Sequence, residues 1–311
     1  MFDTIKHMPA VRSLYRKVFN LNAGFIRLVS TKGRMADAYI SDDVKNRQMM
    51  IVTVAFNHIG LIEKQIELVK RYVRDKDYCH VIADNSPSKE KRASIKALCE
   101  AQGVSYVPVP RRIERCCWHR FFWGGISHGG ALNWLFYKYL PLTTPHRFAL
   151  LDHDVFPLTD VNLMLTLGDR KFYGVSRIME HGWYLWPGWC IFDYQFMKEH
   201  SPNFLPVYAG DSYLDSGGHN YYQVYQSFDF RTISFPKVVT HRIKNTKGLA
   251  RPDQVYHNDC IQIIADSWIH LINGSNCAHT PGKERIVETL LQKLDTFKPI
   301  LQGSHCSPLP S

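Results

Sequence analysis

The sequence lacks the long apolar segments, secretory leader and paired cysteines that mark several common classes of protein. The apolar run at Met49–Phe56 is far shorter than the ~18 residues that a membrane-spanning helix needs. Asp3 and Lys6 interrupt the start of the chain, which predicts that no secretory signal is present. None of the eight cysteines lies in a CxxC motif, so we expect reduced thiols in a cytoplasmic protein.

The sequence also lacks several common catalytic motifs, and its basic residues outnumber its acidic ones. The sequence contains no Walker loop, no GxGxxG fingerprint and no Ser-His-Asp order. Lys and Arg total 38 against 28 Asp and Glu, a net charge of +10 that predicts an anionic partner. The charge alone does not distinguish between nucleic acid, acidic lipid and a phosphorylated substrate as this partner. The 45% hydrophobic content excludes a largely disordered chain.

The composition divides the chain into four parts. Residues 1–47 form a basic lead segment, residues 48–160 alternate strand and helix patterns, residues 161–300 are rich in aromatics, and residues 301–311 form a flexible tail. In the lead segment, apolar residues recur at helical spacing between basic ones, which predicts an amphipathic helix. Either this helix packs on the main domain or it faces anionic lipid as a peripheral contact.

Four apolar, β-branched segments between residues 48 and 152 are typical of buried strands. We predict strands at Met50–Ala55, Tyr78–Ala83, Val104–Val107 and Arg147–Leu151. Helix patterns lie between them, so we expect an α/β fold with a mostly parallel sheet covered by helices on both faces. Ligands bind at the carboxyl ends of such strands.

Three polar residues follow the predicted strands directly. Asn57, the predicted N-cap of the first helix of this region, follows the first strand, Asp84 the second and Asp152 the fourth. Asp152 and Asp154 are two residues apart, so in extended backbone their carboxylates face the same way. Paired carboxylates suit a hard divalent cation, which in turn binds a diphosphate. The alternative is a solvated loop.

At this point the chain resembles a known family. Four segments, taken in order and spacing, resemble glycosyltransferases of the GT-A fold, especially family 2: Ile51–Asn57, Ile82–Ser86, Gly129–Asn133 and Leu150–Asp154. The resemblance covers residues 48–160 and implies that this part binds a nucleotide sugar, while residues 161–300 bind the acceptor. It further implies a metal-dependent, hexosyltransferase-type enzyme that moves a sugar from a nucleotide-sugar donor to a glycan or lipid-linked acceptor.

The resemblance also implies roles for individual donor-side residues. Asp84 would contact the nucleotide base, while Asn57 and Asn133 would belong to the donor site. Asp152 and Asp154 would hold Mn²⁺ or Mg²⁺ on the donor diphosphate. From the residues alone, Asp84 is also a candidate turn residue, and Asn133 is a candidate helix-packing residue.

A late histidine, His270, resembles the one that often completes the metal site in this family. Neutral imidazole suits Mn²⁺ as a ligand. The alternative is a histidine whose hydrogen bonds are satisfied beside a buried strand.

The aromatic half supplies the acceptor-side candidates. Trp183, Trp186 and Trp189 could stack on the apolar faces of sugar rings, although aromatic residues also build cores. Asp215 precedes two glycines and could act as the general base that takes a proton from the attacking hydroxyl. Asp211 and Asp259 compete for that role.

Two other functions are compatible with parts of the sequence. A nucleotidyltransferase would carry a Gly-rich basic loop after the first strand, and Phe56–Gly60 lacks one. A non-catalytic protein that binds RNA or anionic glycans would use the basic and aromatic residues at 111–123, but it leaves the Asp152 and Asp154 pair unexplained. We therefore expect no nucleic-acid partner. We expect a cytoplasmic protein, and peripheral binding to the inner face of the membrane is compatible with the sequence.

Overall fold

A computed structural model describes residues 9–32, 40–115, 123–180, 182–242 and 260–272, and also residues 274, 287, 288, 291, 292 and 294. The strands are β1 (Met49–Ala55), β2 (Tyr78–Asp84), β3 (Ser105–Pro108), β4 (Arg147–Asp152), β5 (Val155–Pro157), β6 (Phe172–Met179), β7 (Gly182–Asp193), β8 (Val207–Ala209), β9 (Ser212–Leu214), β10 (Val238–Arg242), β11 (Cys260–Ile264) and β12 (Trp268–Leu271).

The α-helices are α1 (Pro9–Thr31), α2 (Ile59–Tyr72), α3 (Lys89–Ala101), α4 (Arg111–Arg115), α5 (Trp123–Trp134), α6 (Leu140–Thr143), α7 (Leu163–Leu167) and α8 (Tyr194–His200). Short 3-10 helices span Asp42–Val44 and Phe230–Thr232, and π-helical turns span Leu135–Tyr139 and Tyr221–Tyr225. The predicted tail over residues 301–311 lies outside the described residues.

A six-stranded sheet with the order β3-β2-β1-β4-β7-β6 forms the centre of the fold. The first four strands in this order run parallel, while β7 is antiparallel to both β4 and β6. A second, antiparallel sheet has the order β10-β11-β12-β5. The predicted α/β class, with a mostly parallel sheet flanked by helices, is thus confirmed.

The central strand β1 shows why the strand prediction succeeded. All seven of its residues are buried, because helices cover both faces of the sheet. The helix that follows it begins one residue later than predicted: His58, not Asn57, is the N-cap, and its Nδ1 accepts a hydrogen bond from the Leu61 amide (3.2 Å). Asn57 instead adopts a left-handed backbone conformation with φ of 57°, which asparagine tolerates better than most residues.

The lead segment forms the long helix α1, which packs on the main domain. Phe19, Ala23 and Ile26 are buried against Ile126 of α5 and Leu205. Of the two alternatives stated for this helix, packing on the main domain is therefore the one observed for its buried face. The opposite side of α1 stays exposed.

A buried hydrogen-bond chain connects β2, β1 and α2 to the turn after β4. The Gln65 side chain donates through Nε2 to the backbone oxygens of Asp152 (2.7 Å) and Val155 (2.8 Å). Carbonyl oxygens only accept, so the amide oxygen of Gln65 must face Thr53, whose hydroxyl donates to it (2.7 Å). The Thr53 hydroxyl in turn lies 3.0 Å from His80 Nε2, which must therefore carry the proton.

We expect the free energy of unfolding to fall when Gln65 is replaced by leucine. The Gln65→Leu variant loses two buried hydrogen bonds and one partly buried one, and it leaves two backbone carbonyls without this donor, at a cost of about 1–3 kcal/mol for each buried group left unsatisfied. Urea unfolding measures the loss. Gln195→Leu is the matched control, because Gln195 is exposed on α8 and bonds only a neighbouring surface residue, Glu199. Equal stability losses in the two variants would contradict the role of Gln65.

The buried side chain of His80 should make the free energy of unfolding depend on pH. Burial lowers the pKa of His80 to about 3 from an ordinary value of 6.5, so the folded protein keeps it neutral while the unfolded chain protonates it between these two values. Stability therefore rises with pH across that window, and His80 alone should make the protein about 2 kcal/mol less stable at pH 5 than at pH 7. His80→Gln keeps a donor toward Thr53 and should flatten this slope in urea unfolding. An unchanged slope would contradict the prediction.

Candidate active site

The sheet brings the predicted acidic residues to one edge. Ala55 at the end of β1 pairs with Asp84 of β2, and Val54 pairs with Asp152 of β4. The two acids therefore end the strands that flank β1 on either side, at the carboxyl edge where open α/β sheets bind ligands.

The turn between β4 and β5 is held from two directions. Gln65 binds its backbone at Asp152 and Val155. The buried His153 ring points back into the fold, where its Nδ1 lies 3.1 Å from the Val54 carbonyl oxygen and must donate to it. The Asp152 and Asp154 carboxylates lie elsewhere, near His128 and His270 respectively.

Asp152 contacts a histidine that the sequence did not single out. His128 of α5 places Nε2 3.3 Å from Asp152 Oδ1. Burial lowers the pKa of His128 to about 4, whereas burial and the neighbouring Asp154 charge raise the pKa of Asp152. Both shifts favour the neutral form of each group. Partial burial and the nearby Asp154 charge therefore disfavour the charged form of Asp152.

Asp154 and His270 form the second half of the candidate metal site. Both side chains are buried, and His270 Nε2 lies 3.7 Å from Asp154 Oδ1, beyond hydrogen-bond distance. The other ring nitrogen, Nδ1, lies 3.0 Å from the Gln262 side-chain oxygen, whose amide nitrogen faces Thr240 at 3.4 Å. The proton of His270 therefore sits on Nδ1, and the lone pair of Nε2 faces Asp154, which is the tautomer of a metal-binding histidine.

These residues do not form a complete metal site as they stand. In the part of the chain that the structure describes, no three His, Cys, Asp or Glu side chains are close enough together to hold an ion. The donor set itself, two carboxylates and one imidazole, has the chemistry of a Mn²⁺ or Mg²⁺ site. The assignment of Asp152, Asp154 and His270 to a metal stays a prediction.

Of the three tryptophans predicted to contact the acceptor, Trp186 reaches this site, and it lies in a bulge of β7. The pairing between β6 and β7 shifts between Gly174 and Ser176, so residues 186–189 leave the ladder with β6, while Trp189 stays paired with Leu151 of β4. The partly exposed Trp186 ring lies 4.5 Å from the His270 ring and 5.2 Å from the Arg177 guanidinium carbon. A Cβ on Gly188 would overlap the Trp186 ring and lie 2.6 Å from Asp152 Oδ2, so only glycine fits here.

Trp183 and Trp189 are corrected from acceptor contacts to core residues. Trp183 stacks on Tyr225 with 4.8 Å between ring centroids, and Trp189 meets the edge of Trp268 at 6.0 Å. Both are at least 95% buried. A buried ring has no face for a sugar, so the acceptor interpretation holds only for Trp186.

Asp84 and Asn133 are also used within the fold. Asp84 is fully buried, and its two oxygens accept hydrogen bonds from the Ser86 amide and the Tyr106 hydroxyl, both at 2.9 Å. The turn alternative therefore replaces the base-contact interpretation.

The equally buried Asn133 amide has the same kind of role. Its Nδ2 donates to Asn203 (2.8 Å), and its Oδ1 accepts from the Phe204 amide (2.8 Å). Asn133 thus ties α5 to the segment that follows α8, which corrects its assignment to the donor site.

Asn57 differs from these two residues. Its backbone amide donates to the Ser86 hydroxyl (2.8 Å), which anchors it at the carboxyl edge of the sheet. Its side-chain oxygen is buried and has no hydrogen-bond partner among the described residues. A buried, unsatisfied acceptor at a ligand-binding edge is a candidate contact for a bound donor group.

The predicted base, Asp215, lies close to the Asp152 carboxylate. Its charge raises the pKa of both Asp152 and His128, and its Oδ1 would overlap a Cβ built on Gly125 of α5. The exposed carboxylate accepts hydrogen bonds at Oδ1 from the Ser216 amide (2.7 Å) and from the Tyr213 hydroxyl (3.3 Å). These bonds fix the orientation of the carboxylate.

The two rivals of Asp215 are placed differently. Asp211 forms an ion pair with Arg16 of α1, on the turn between β8 and β9. Asp259 lies outside the described residues.

Sequence reasoning missed His128 and Arg177. His128 directly precedes the Gly129–Asn133 segment, so its place beside a family-like motif was an available signal. Arg177 lies on β6 and reaches the site only through the bulge in β7, which no local pattern indicates.

Comparisons with known proteins found no match by sequence, and they found solved structures that are similar at low TM-scores. No protein-family model and no curated protein matches the chain. Among solved structures, it is similar to the mannosyltransferase PcManGT from Pyrobaculum calidifontis in complex with GDP-Man and Mn²⁺, at 12% identity and a TM-score of 0.36, over 58% of this chain and 55% of that chain.

Two further glycosyltransferase structures are similar to the same degree. Core-mannan synthase A from Aspergillus fumigatus, in its Mn/GDP form, shares 12% identity at a TM-score of 0.34, over 54% of this chain and 66% of that chain. The galactosyltransferase LgtC, in complex with donor and acceptor sugar analogs, shares 16% identity at a TM-score of 0.36, over 47% of this chain and 58% of that chain. The chain thus spans less than two thirds of each of these three proteins. All three of these structures are glycosyltransferases.

Proposed function

We propose that this protein is a metal-dependent glycosyltransferase that moves a sugar from a nucleotide-sugar donor to a glycan or lipid-linked acceptor. The observation that carries the proposal is the acid-rich turn after β4. There Asp152 and Asp154 lie two residues apart, the Asp154 charge raises the pKa of Asp152, and the Nε2 atom of His270 lies 3.7 Å from Asp154 Oδ1. Carboxylates at a ligand-binding edge repel a diphosphate unless a cation lies between them.

The proposed metal ligands are Asp152, Asp154 and His270, with Mn²⁺ or Mg²⁺ as the ion. A bound divalent cation would act as a Lewis acid that neutralises the charge developing on the leaving nucleoside diphosphate. The chain itself prepares the ligands: Gln65 fixes the turn, and Gln262 holds the proton of His270 on Nδ1. Asn57 would accept a hydrogen bond from the donor through its buried side-chain oxygen.

On the acceptor side, we assign sugar stacking to Trp186 and general-base catalysis to Asp215. The acceptor hydroxyl oxygen would form a bond to the anomeric carbon while the bond from that carbon to the diphosphate oxygen breaks. The hydroxyl proton would pass to Asp215, and the electron pair would leave with the nucleoside diphosphate. Among the described residues, the hydrogen bonds to the Asp215 carboxylate go to Oδ1, so we assign acceptance of the proton to Oδ2.

The metal assignment is tested with Asp154→Asn. The substitution keeps the size of the side chain but removes a charged oxygen ligand, so we expect loss of the thermal stabilisation by Mn²⁺ and a fall in transfer of at least about 10²-fold. A screen of nucleotide sugars for hydrolysis, with and without Mn²⁺, provides the activity measurement. Asp160→Asn is the matched control, because Asp160 is an exposed acid paired with Arg74 on the surface. Full activity in EDTA would overturn the metal-dependent function.

The general-base assignment is tested with Asp215→Asn. Donor and metal binding should stay unchanged in calorimetry, while turnover should fall by about 10²–10⁴-fold, the range for a lost general base. Asp211→Asn in the adjacent turn is the control and should keep turnover near that of the wild type. A large loss in Asp211→Asn with none in Asp215→Asn would reverse the assignment.

A further inference from the structure

Helix α1 has an apolar face on each side. One face, with Phe19, Ala23 and Ile26, is buried against the main domain. The other face carries five large apolar side chains, which remain exposed: Leu14 (63%), Val18 (47%), Leu21 (75%), Phe25 (53%) and Leu28 (45%). Single exposed apolar residues are ordinary on protein surfaces, but a continuous set of five is a mark of an interaction surface.

The spacing of these five residues places them in one row. They follow one another at intervals of four, three, four and three residues, which keeps them on one side of an α-helix. We call this row the outer stripe. It extends over four turns of α1, on the side opposite to the buried face.

The charged residues of α1 itself are all basic. The 23 residues of α1 include no Asp or Glu. Lys17 lies within the helix and Lys32 directly follows it, and both are exposed. Such a surface is complementary to a layer of negative charge that has an apolar interior beneath it.

We propose that α1 binds the surface of an anionic membrane, with the outer stripe inserted below the lipid headgroups and Lys17 and Lys32 at the phosphate level. Within the described ranges, no helix has the length and apolarity to cross a bilayer. A second copy of this chain fits the stripe less well, because it would bring the same lysines of two chains with a net charge of +10 each against one another. The inference goes beyond the proposed function and does not depend on it.

The test measures binding of the full chain to vesicles. Vesicles of phosphatidylcholine mixed with phosphatidylserine should sediment with the protein, more weakly as salt rises, and vesicles of phosphatidylcholine alone should retain much less. The double variant Leu21→Ser with Phe25→Ser should lower the partition coefficient at least about tenfold, since two inserted side chains lose their apolar burial. Its melting temperature should stay close to that of the wild type, because both side chains are exposed.

The matched control is Leu165→Ser on α7. Leu165 is 80% exposed but is not part of the outer stripe, so this variant should bind vesicles like the wild type. The charge-reversing pair Lys17→Glu with Lys32→Glu should lower binding to the anionic vesicles and weaken its salt dependence.

Three results would overturn the proposal. The first is a wild-type protein that does not bind the anionic vesicles. The second is a double variant that binds them as tightly as the wild type does. The third is a dimer in sedimentation velocity that the double variant abolishes, which would make a second copy of the chain the occupant of the outer stripe.

Discussion

The site depends on one buried amide, the side chain of Gln65. Its two N–H groups satisfy two backbone carbonyls of the turn after β4, which a folded protein cannot leave unpaired in its interior. Thr53 and His80 fix the direction of the amide, so a chain of hydrogen bonds that starts on β2 sets the shape of a turn on the far side of β1. The position of Asp152 and Asp154 is therefore a property of the sheet and of α2, and not of the turn alone.

That rigid frame holds like charges together. Burial and Asp154 raise the pKa of Asp152, and the Asp215 charge raises it further. A fold that brings three carboxylates into one region loses stability unless protons, basic groups or a cation compensate. Arg177 supplies part of the compensation from β6, and the raised pKa of Asp152 shows that this is incomplete. The metal in the proposed function would supply the rest.

The sequence predicted the parts of the fold that follow from local patterns. Parallel strands buried on both faces are continuous apolar runs, so β1, β2, β3 and β4 were found to within one residue at each end. Strand alternation predicted a common direction for Asp152 and Asp154, but β4 ends at Asp152 and a turn follows, so their joint role in a metal site stays a prediction. The three tryptophans could not be separated, because a bulge in β7 breaks the alternation and turns Trp186 outward. His128 and Arg177 reach the site only through tertiary packing, which leaves no periodic signal.

The two faces of α1 connect the proposed membrane contact to the proposed chemistry. The buried face packs on Ile126 of α5, next to Gly125, whose Cα lies against the Asp215 carboxylate. Arg16 of α1 also pairs with Asp211, in the hairpin that leads to Asp215. If α1 lies on a membrane, α5 connects the membrane-bound helix to the candidate base. An acceptor whose sugar is attached to a lipid would then share a surface with the enzyme, in keeping with the lipid-linked acceptor of the proposed function.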